Sequence, residues 1–241
     1  MRANRSKNVS ADLSPAALRR EVRDCEVILS RAPAAGDEAA EKGWGEAMIT
    51  LCTTMPKLAQ FEELLRHIDE AEPTLESVDR LRGVWVYARV TRAVALTALK
   101  RYDEALATVD ATLALSFPAE VRREIDGRSE VKLGRARLAS IAISRRGQTR
   151  TESGSMRALT SVAVLALQTR LAVLIELGRW DEAYQDARRL ADAPDTTPAE
   201  RWRIKQALSS QMTIARRQHR YDRALLAALR IARLKVRGGT A

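Results

Sequence analysis

Apolar residues step along this chain by three and four, as in Val86, Val90, Ala93 and Thr97, or in Leu225, Leu229, Ala232 and Val236. That step keeps a stripe of side chains on one face of a helix. It predicts helices over residues 15–31, 37–54, 56–71, 75–99, 102–115, 118–146, 155–177, 180–193, 198–218 and 221–236. All seven prolines fall at expected boundaries, since proline has no amide hydrogen to give inside a helix. Pro15, Pro56, Pro118 and Pro198 read as starts, and Pro33, Pro73 and Pro194 as stops. Thr197 with Glu200 forms a capping box before the ninth helix.

Short connectors make consecutive helices antiparallel neighbours. The stretch Gly147 to Ser155, GQTRTESGS, has two glycines and no apolar residue, so it is expected to be an exposed loop. This gives a flexible tail over 1–13, helical repeats over 14–146, the loop at 147–155, and further repeats with a basic capping helix over 156–237.

The chain also repeats itself. Trp44 and Trp85, Phe61 and Tyr102, and Trp180 and Tyr221 are each 41 residues apart in a chain with only ten aromatic residues. The segments QFEELLRHID, RYDEALATVD, RWDEAYQDAR and RYDRALLAAL share an aromatic, an acid and an apolar residue at fixed offsets. A period of this size marks stacked helical repeats, in which no helix pair buries its apolar face alone.

In KRYDEALATVDATLAL, GRWDEAYQDARRLA and HRYDRALLAALRIARL the chain resembles the second helix of the tetratricopeptide repeat family, in a variant longer than the usual repeat. Ala105, Ala183 and Ala224 match the family's small residue at the helix-helix approach; Leu64 stands there in the earliest copy. The resemblance covers residues 37–116 and 155–236 and implies a right-handed α-solenoid of antiparallel helix pairs. Its groove would be lined by Val90, Val94, Gln168, Ala172, Ser209 and Thr213, a set without the Lys, Asn and Arg clamp that some members use to hold a partner's terminal carboxylate.

Composition agrees with an all-α reading: 4% aromatic residues, and Ala, Leu, Arg and Glu throughout. No apolar run reaches the roughly 18 residues of a membrane span, and the polar N-terminus is unlike a secretory leader. Cys25 and Cys52 have neither disulfide nor zinc spacing and read as small buried hydrophobes of a cytoplasmic protein.

Charge changes the picture at one end only. The net charge of +10 resides in residues 201–241, which hold 11 basic residues and a single acid; the remainder balances. Arg223, Arg230, Arg233 and Arg237 fall within an arc of about 80°, with Arg216, Arg217 and Arg220 just upstream. These seven arginines are the candidate binding residues. They read either as the solvated cap of a repeat array or as a site for nucleic-acid phosphates, another acidic partner or a membrane surface.

Catalytic motifs, cofactor loops and metal-ligand clusters are not found in the sequence, so neither an enzyme nor a cofactor is expected. His67 with Glu63 and Glu70 reads as a solvated face, Asp69, Glu70, Glu72, Glu76 and Asp79 as a charged junction, and Trp44, Trp85, Trp180 and Trp202 as core. The expected function is a scaffold or regulatory module that binds a protein or peptide partner; the alternative is a nucleic-acid-associated regulator using the arginines. The last helix is expected to lay Leu225, Leu229, Ala232 and Val236 on its predecessor, leaving Ala227, Ile231 and Leu234 outward for a homodimer.

Overall fold

The computed structural model describes residues 14–34, 36–115, 152–191 and 198–238. Every regular element among them is helical: α1 (Pro15–Leu29), α2 (Glu38–Thr54), α3 (Phe61–Ser77), α4 (Arg82–Ala98), α5 (Tyr102–Leu115), α6 (Glu152–Glu176), α7 (Trp180–Ala191), α8 (Pro198–Arg217) and α9 (Tyr221–Gly238). Two 3-10 turns, Met55–Leu58 and Asp79–Leu81, complete the set. The predicted tail, the helix at 118–146 and Thr197 of the capping box lie outside the described residues. The chain forms two compact units that divide after Leu81.

In the first unit, α1 and α2 each start where a side chain meets the free amides of the first turn. The Ser14 hydroxyl accepts from the Ala17 amide at 3.3 Å, and Asp37 Oδ1 accepts from Ala39 and Ala40 at 3.1 and 3.0 Å. α1 packs on α2, burying Leu18, Val22 and Cys25 of the one and Trp44, Met48, Leu51 and Cys52 of the other. Pro56 starts a 3-10 turn, and α3 begins only at Phe61. Pro73 does not stop α3 but sits inside it, because the following turn is anchored by Leu75, which is fully buried. The break comes instead at Val78, whose extended backbone separates α3 from α4.

In the second unit, α4 packs on α5, α6 on α7 and α8 on α9, and each hairpin rests on the one before: α6 on α4 and α5, α8 on α7. Ala105, Ala183 and Ala224, the small residues of the repeat, are buried. α6 starts at Glu152, so the last four residues of the expected loop are its first turn.

The repeat in the sequence is a repeat of one turn. Lys100, Gly178 and His219, each two residues before the aromatic, have φ of 62°, 70° and 58°. Each amide returns to the third carbonyl back, at 3.0 to 3.1 Å, and the next amide, of Arg101, Arg179 or Arg220, to the fifth carbonyl back, at 2.8 to 2.9 Å. This paired closure of a helix end around a left-handed residue is the Schellman motif. Ala59, with φ 56°, closes the turn before Phe61 in the first unit the same way. The residue after the left-handed position then caps the next helix through its carbonyl: Ala105 bonds to Arg101, Ala183 to Arg179 and Ala224 to Arg220.

Side chains reinforce the turn. Arg101 pairs with Glu104 at 2.7 Å and Arg179 with Glu182 at 2.6 Å; Gln60 donates to Glu63 at 3.0 Å. The Arg101 hydrogen bond lowers the Glu104 pKa. In the last copy the acid is replaced by Arg223, and Arg220 reaches back to Asp181 of α7, 3.3 Å away.

Candidate interaction surface

The arginine stripe is laid along α7. Arg217 stacks over the Trp180 ring, 5.2 Å from its centroid, and Arg223 over Tyr184 at 5.3 Å. Asp181 Oδ1 accepts from both Arg220 and Gln218. Arg230 donates at 3.1 Å to the carbonyl of Ala191, the last residue of α7, where the negative end of the helix favours a cation. Arg216 is exposed at the end of α8, and the side chains of Arg233 and Arg237 lie outside the described atoms. The structure thus does not gather the stripe at one free end: four of the seven predicted binding residues join α8 and α9 to α7.

With Arg223 and Arg230 directed at α7, α9 has the opposite facing to the one expected from its leucines. Ala224 and Ala227 are buried, and Ile231 and Leu234 are half-buried. Tyr221, Leu225, Leu226 and Leu229 are 64%, 62%, 62% and 50% exposed, and Ala232 is exposed as well. The reason is steric: alanines let two helices approach closely, whereas ranking faces by hydrophobicity puts the leucine face inside. Trp202 is 58% exposed rather than core, because it stands on the side of α8 opposite Ile204, Leu208 and Ala215, which are buried. Trp44 and Trp85 are core as expected, and Trp180 is half-buried beneath Arg217.

Comparing equivalent positions shows what the α9 face is. The aromatic and the residues four and eight after it are Tyr102, Leu106 and Asp110 on α5, Trp180, Tyr184 and Arg188 on α7, and Tyr221, Leu225 and Leu229 on α9. On α5 this face receives α6: Leu106 is buried, and Asp110 binds Arg170. On α7 it receives the last hairpin, through Arg217 and Arg223. On α9 the same face is apolar and open. Five residues after the aromatic, Ala107 and Gln185 are succeeded by Leu226.

Two other clusters were not legible in the sequence as they stand. Arg170 of α6, largely buried, donates to Asp110 of α5 at 2.5 Å and to Asp186 and Glu182 of α7 at 2.6 and 3.3 Å. Asp186 is 1% exposed. Burial works against the Arg170 charge, but the two aspartates raise its pKa. Burial also pushes the Asp186 carboxyl upward, with Arg170 and Arg189 opposing. Sequence separations of 60 and 16 hide this network from any helix-face reading.

In the first unit, His67 Nε2 lies 3.1 Å from Glu26 of α1 and Nδ1 3.9 Å from Glu70. Glu26, Glu63 and His67 each bring a ligand atom within 4.8 Å of the others, and these three could hold a cation. Arg66, 3.2 Å from Nε2, would first have to move. Glu26, 41 residues away, is the member that sequence reasoning missed.

Of the expected groove positions, Val90 is fully buried rather than groove-facing, Val94, Gln168 and Ser209 are half-buried, and Ala172 and Thr213 are exposed. No described helix is long and apolar enough to cross a membrane. No family model, curated protein or solved structure matches this chain.

Proposed function

We propose that the chain is a protein-interaction scaffold or regulatory module, and that its helix pairs over residues 82–238 form a right-handed tetratricopeptide-like solenoid. The three identical turns and the buried Ala105, Ala183 and Ala224 support the architecture. One observation carries the function: the face of α9 built from Tyr221, Leu225 and Leu229 stands in water, where a helix that only terminated a repeat array would be polar. Leaving a leucine exposed forgoes roughly 1.5 to 3 kcal/mol of burial, which a partner helix on this face recovers. The nucleic-acid reading has less support, since Arg217, Arg220, Arg223 and Arg230 already have partners on α7.

Capture from native lysate tests this reading, comparing the wild type with a Leu225→Asp, Leu229→Asp variant of unchanged helical content. A defined protein, or the chain itself, retained by the wild type and lost by the variant is the expected result. Equal retention by both, or retention of nucleic acid alone, contradicts it.

A further inference from the structure

We infer that Glu26 of α1, with Glu63 and His67 of α3, forms a binding site for one divalent transition-metal ion, and that zinc is the ion it suits. All three residues belong to the first unit, so the site is independent of the α9 face. What points to a ligand is a contact that neither charge state of His67 satisfies. Its Nε2 lies 3.1 Å from a Glu26 oxygen, which as an ionised carboxylate only accepts, and 3.2 Å from Arg66, which only donates. With a proton on Nε2 the guanidinium has no acceptor there. With the lone pair on Nε2, two acceptors face each other. A metal ion between Nε2 and Glu26 removes the conflict, because it takes both as ligands.

Glu63 and His67 stand one helical turn apart on α3, the spacing at which two side chains of one helix chelate a single ion, and Glu26 reaches the same point from α1. The three donor atoms lie within 4.8 Å of one another. Tetrahedral zinc, with bonds of about 2.0 to 2.2 Å, sets its ligands roughly 3.4 Å apart. Glu26 and His67 are already that close, and the remaining gaps close by about 1.4 Å or less of side-chain movement. Groups behind the ligands orient them, as metal sites require. His67 Nδ1 is turned to Glu70, 3.9 Å away, and Gln60 donates to Glu63 Oε2 at 3.0 Å, which leaves Oε1 for the ion. The His67 side chain is 11% exposed, so its ring is held in place before an ion arrives. Arg66 is the resident cation. More than half exposed and paired with Glu70 at 2.8 Å, it can swing off Nε2 without losing its charge partner. One nitrogen and two carboxylates suit zinc, whereas magnesium and calcium take oxygen ligands. Three protein ligands leave the fourth position to water, and the ion ties α1 to α3.

Calorimetric titration of zinc into the full chain, stripped beforehand with a chelator, reads the site. One ion per chain is expected to bind with a Kd of about 10 µM or tighter. Glu26→Gln and His67→Gln, each with unchanged far-ultraviolet circular dichroism, should weaken binding by at least about 10-fold. Arg66→Ala should tighten it by about 10-fold, because the competing cation is gone. Magnesium at the same concentration is expected not to bind. A wild type that takes up no zinc at about 100 µM overturns the inference. So does zinc binding that Glu26→Gln and His67→Gln leave unchanged, which would place the ion elsewhere. Magnesium binding as tight as that of zinc would mark only an acidic surface, and weaker binding by Arg66→Ala would contradict the assigned ligands.

Discussion

Arg217 lies over the ring of Trp180 at 5.2 Å, and Tyr221, the residue that matches Trp180 one repeat later, is 64% exposed. The interior copy of the face is covered by an arginine from the next hairpin, and the last copy is open. A cation over an indole contributes about 0.5 to 2 kcal/mol depending on its exposure. Arg217→Ala is accordingly expected to destabilise the second unit by about 1 kcal/mol, and Arg217→Lys by less. Urea unfolding of the two variants measures this. Wild-type stability in both would mean that the stack does not hold α8 on α7.

The turns make a prediction of opposite sign. Lys100 and His219 hold left-handed backbone, which costs a residue with a side chain about 1 to 2 kcal/mol; glycine escapes this but loses more entropy on folding. Lys100→Gly and His219→Gly should each stabilise by about 0.5 kcal/mol, the difference of those two effects. Gly178→Ala should cost about 1 kcal/mol from backbone strain alone, since an added Cβ would meet only the Trp180 ring, at 3.8 Å. Thermal melts of the three variants that moved in one direction would contradict the shared turn geometry.

Removing the guanidinium of Arg170 leaves the buried Asp186 with the looser Arg189 pair, 3.6 Å away. Arg170→Leu is expected to cost about 3 kcal/mol, and Arg170→Leu with Asp186→Leu to recover most of it. Burial raises the Asp186 carboxyl above its ordinary range. Its ionisation therefore weakens the fold as pH rises through that value, and more so without Arg170. The deficit of the single variant should be larger near pH 7 than near pH 4, which denaturation at the two pH values reads.

Cys25 is buried, and that burial, with smaller contributions from Glu21, Asp24 and Glu26, pushes its thiol up to about 11. The folded state favours the neutral thiol. Its contribution to stability is complete below the unfolded value near 9 and fades as pH rises toward 11. Native-state alkylation of Cys25 should consequently remain slow near pH 8 and accelerate above pH 10. Rapid labelling near pH 8 would show that the α1–α2 interface opens freely.

The helices were legible because their signals are local: the period of 3.6 and the small residue of each second helix sit within a few residues of one another, whereas the left-handed turn before each aromatic emerged only from the backbone. Pro73 misled because the turn beyond it carries Leu75, whose side chain is fully buried. The facing of α9 misled for a related reason. Leucine outweighs alanine on any hydrophobicity scale, yet the buried side is the alanine side, chosen by how closely α9 approaches its neighbours and by where Arg223 and Arg230 find Tyr184 and Ala191. Aligning Tyr221, Leu225 and Leu229 with Trp180, Tyr184 and Arg188 was the signal in the sequence that could have found the open face. Arg170 had no such signal, since its partners lie on two other helices.

The facing of α9 is what the functional reading depends on, and urea unfolding at submicromolar protein tests it most directly, comparing Leu225→Asp, Leu229→Asp with Ala227→Asp. Exposed substitutions normally change stability by less than about 0.5 kcal/mol each, whereas an unpaired charge at a buried site costs several. The pair of exposed aspartates should therefore leave the midpoint nearly where it is in the wild type, while the single buried one lowers it sharply. A large loss for Leu225→Asp, Leu229→Asp with little for Ala227→Asp would put the leucines inside and remove the interaction surface.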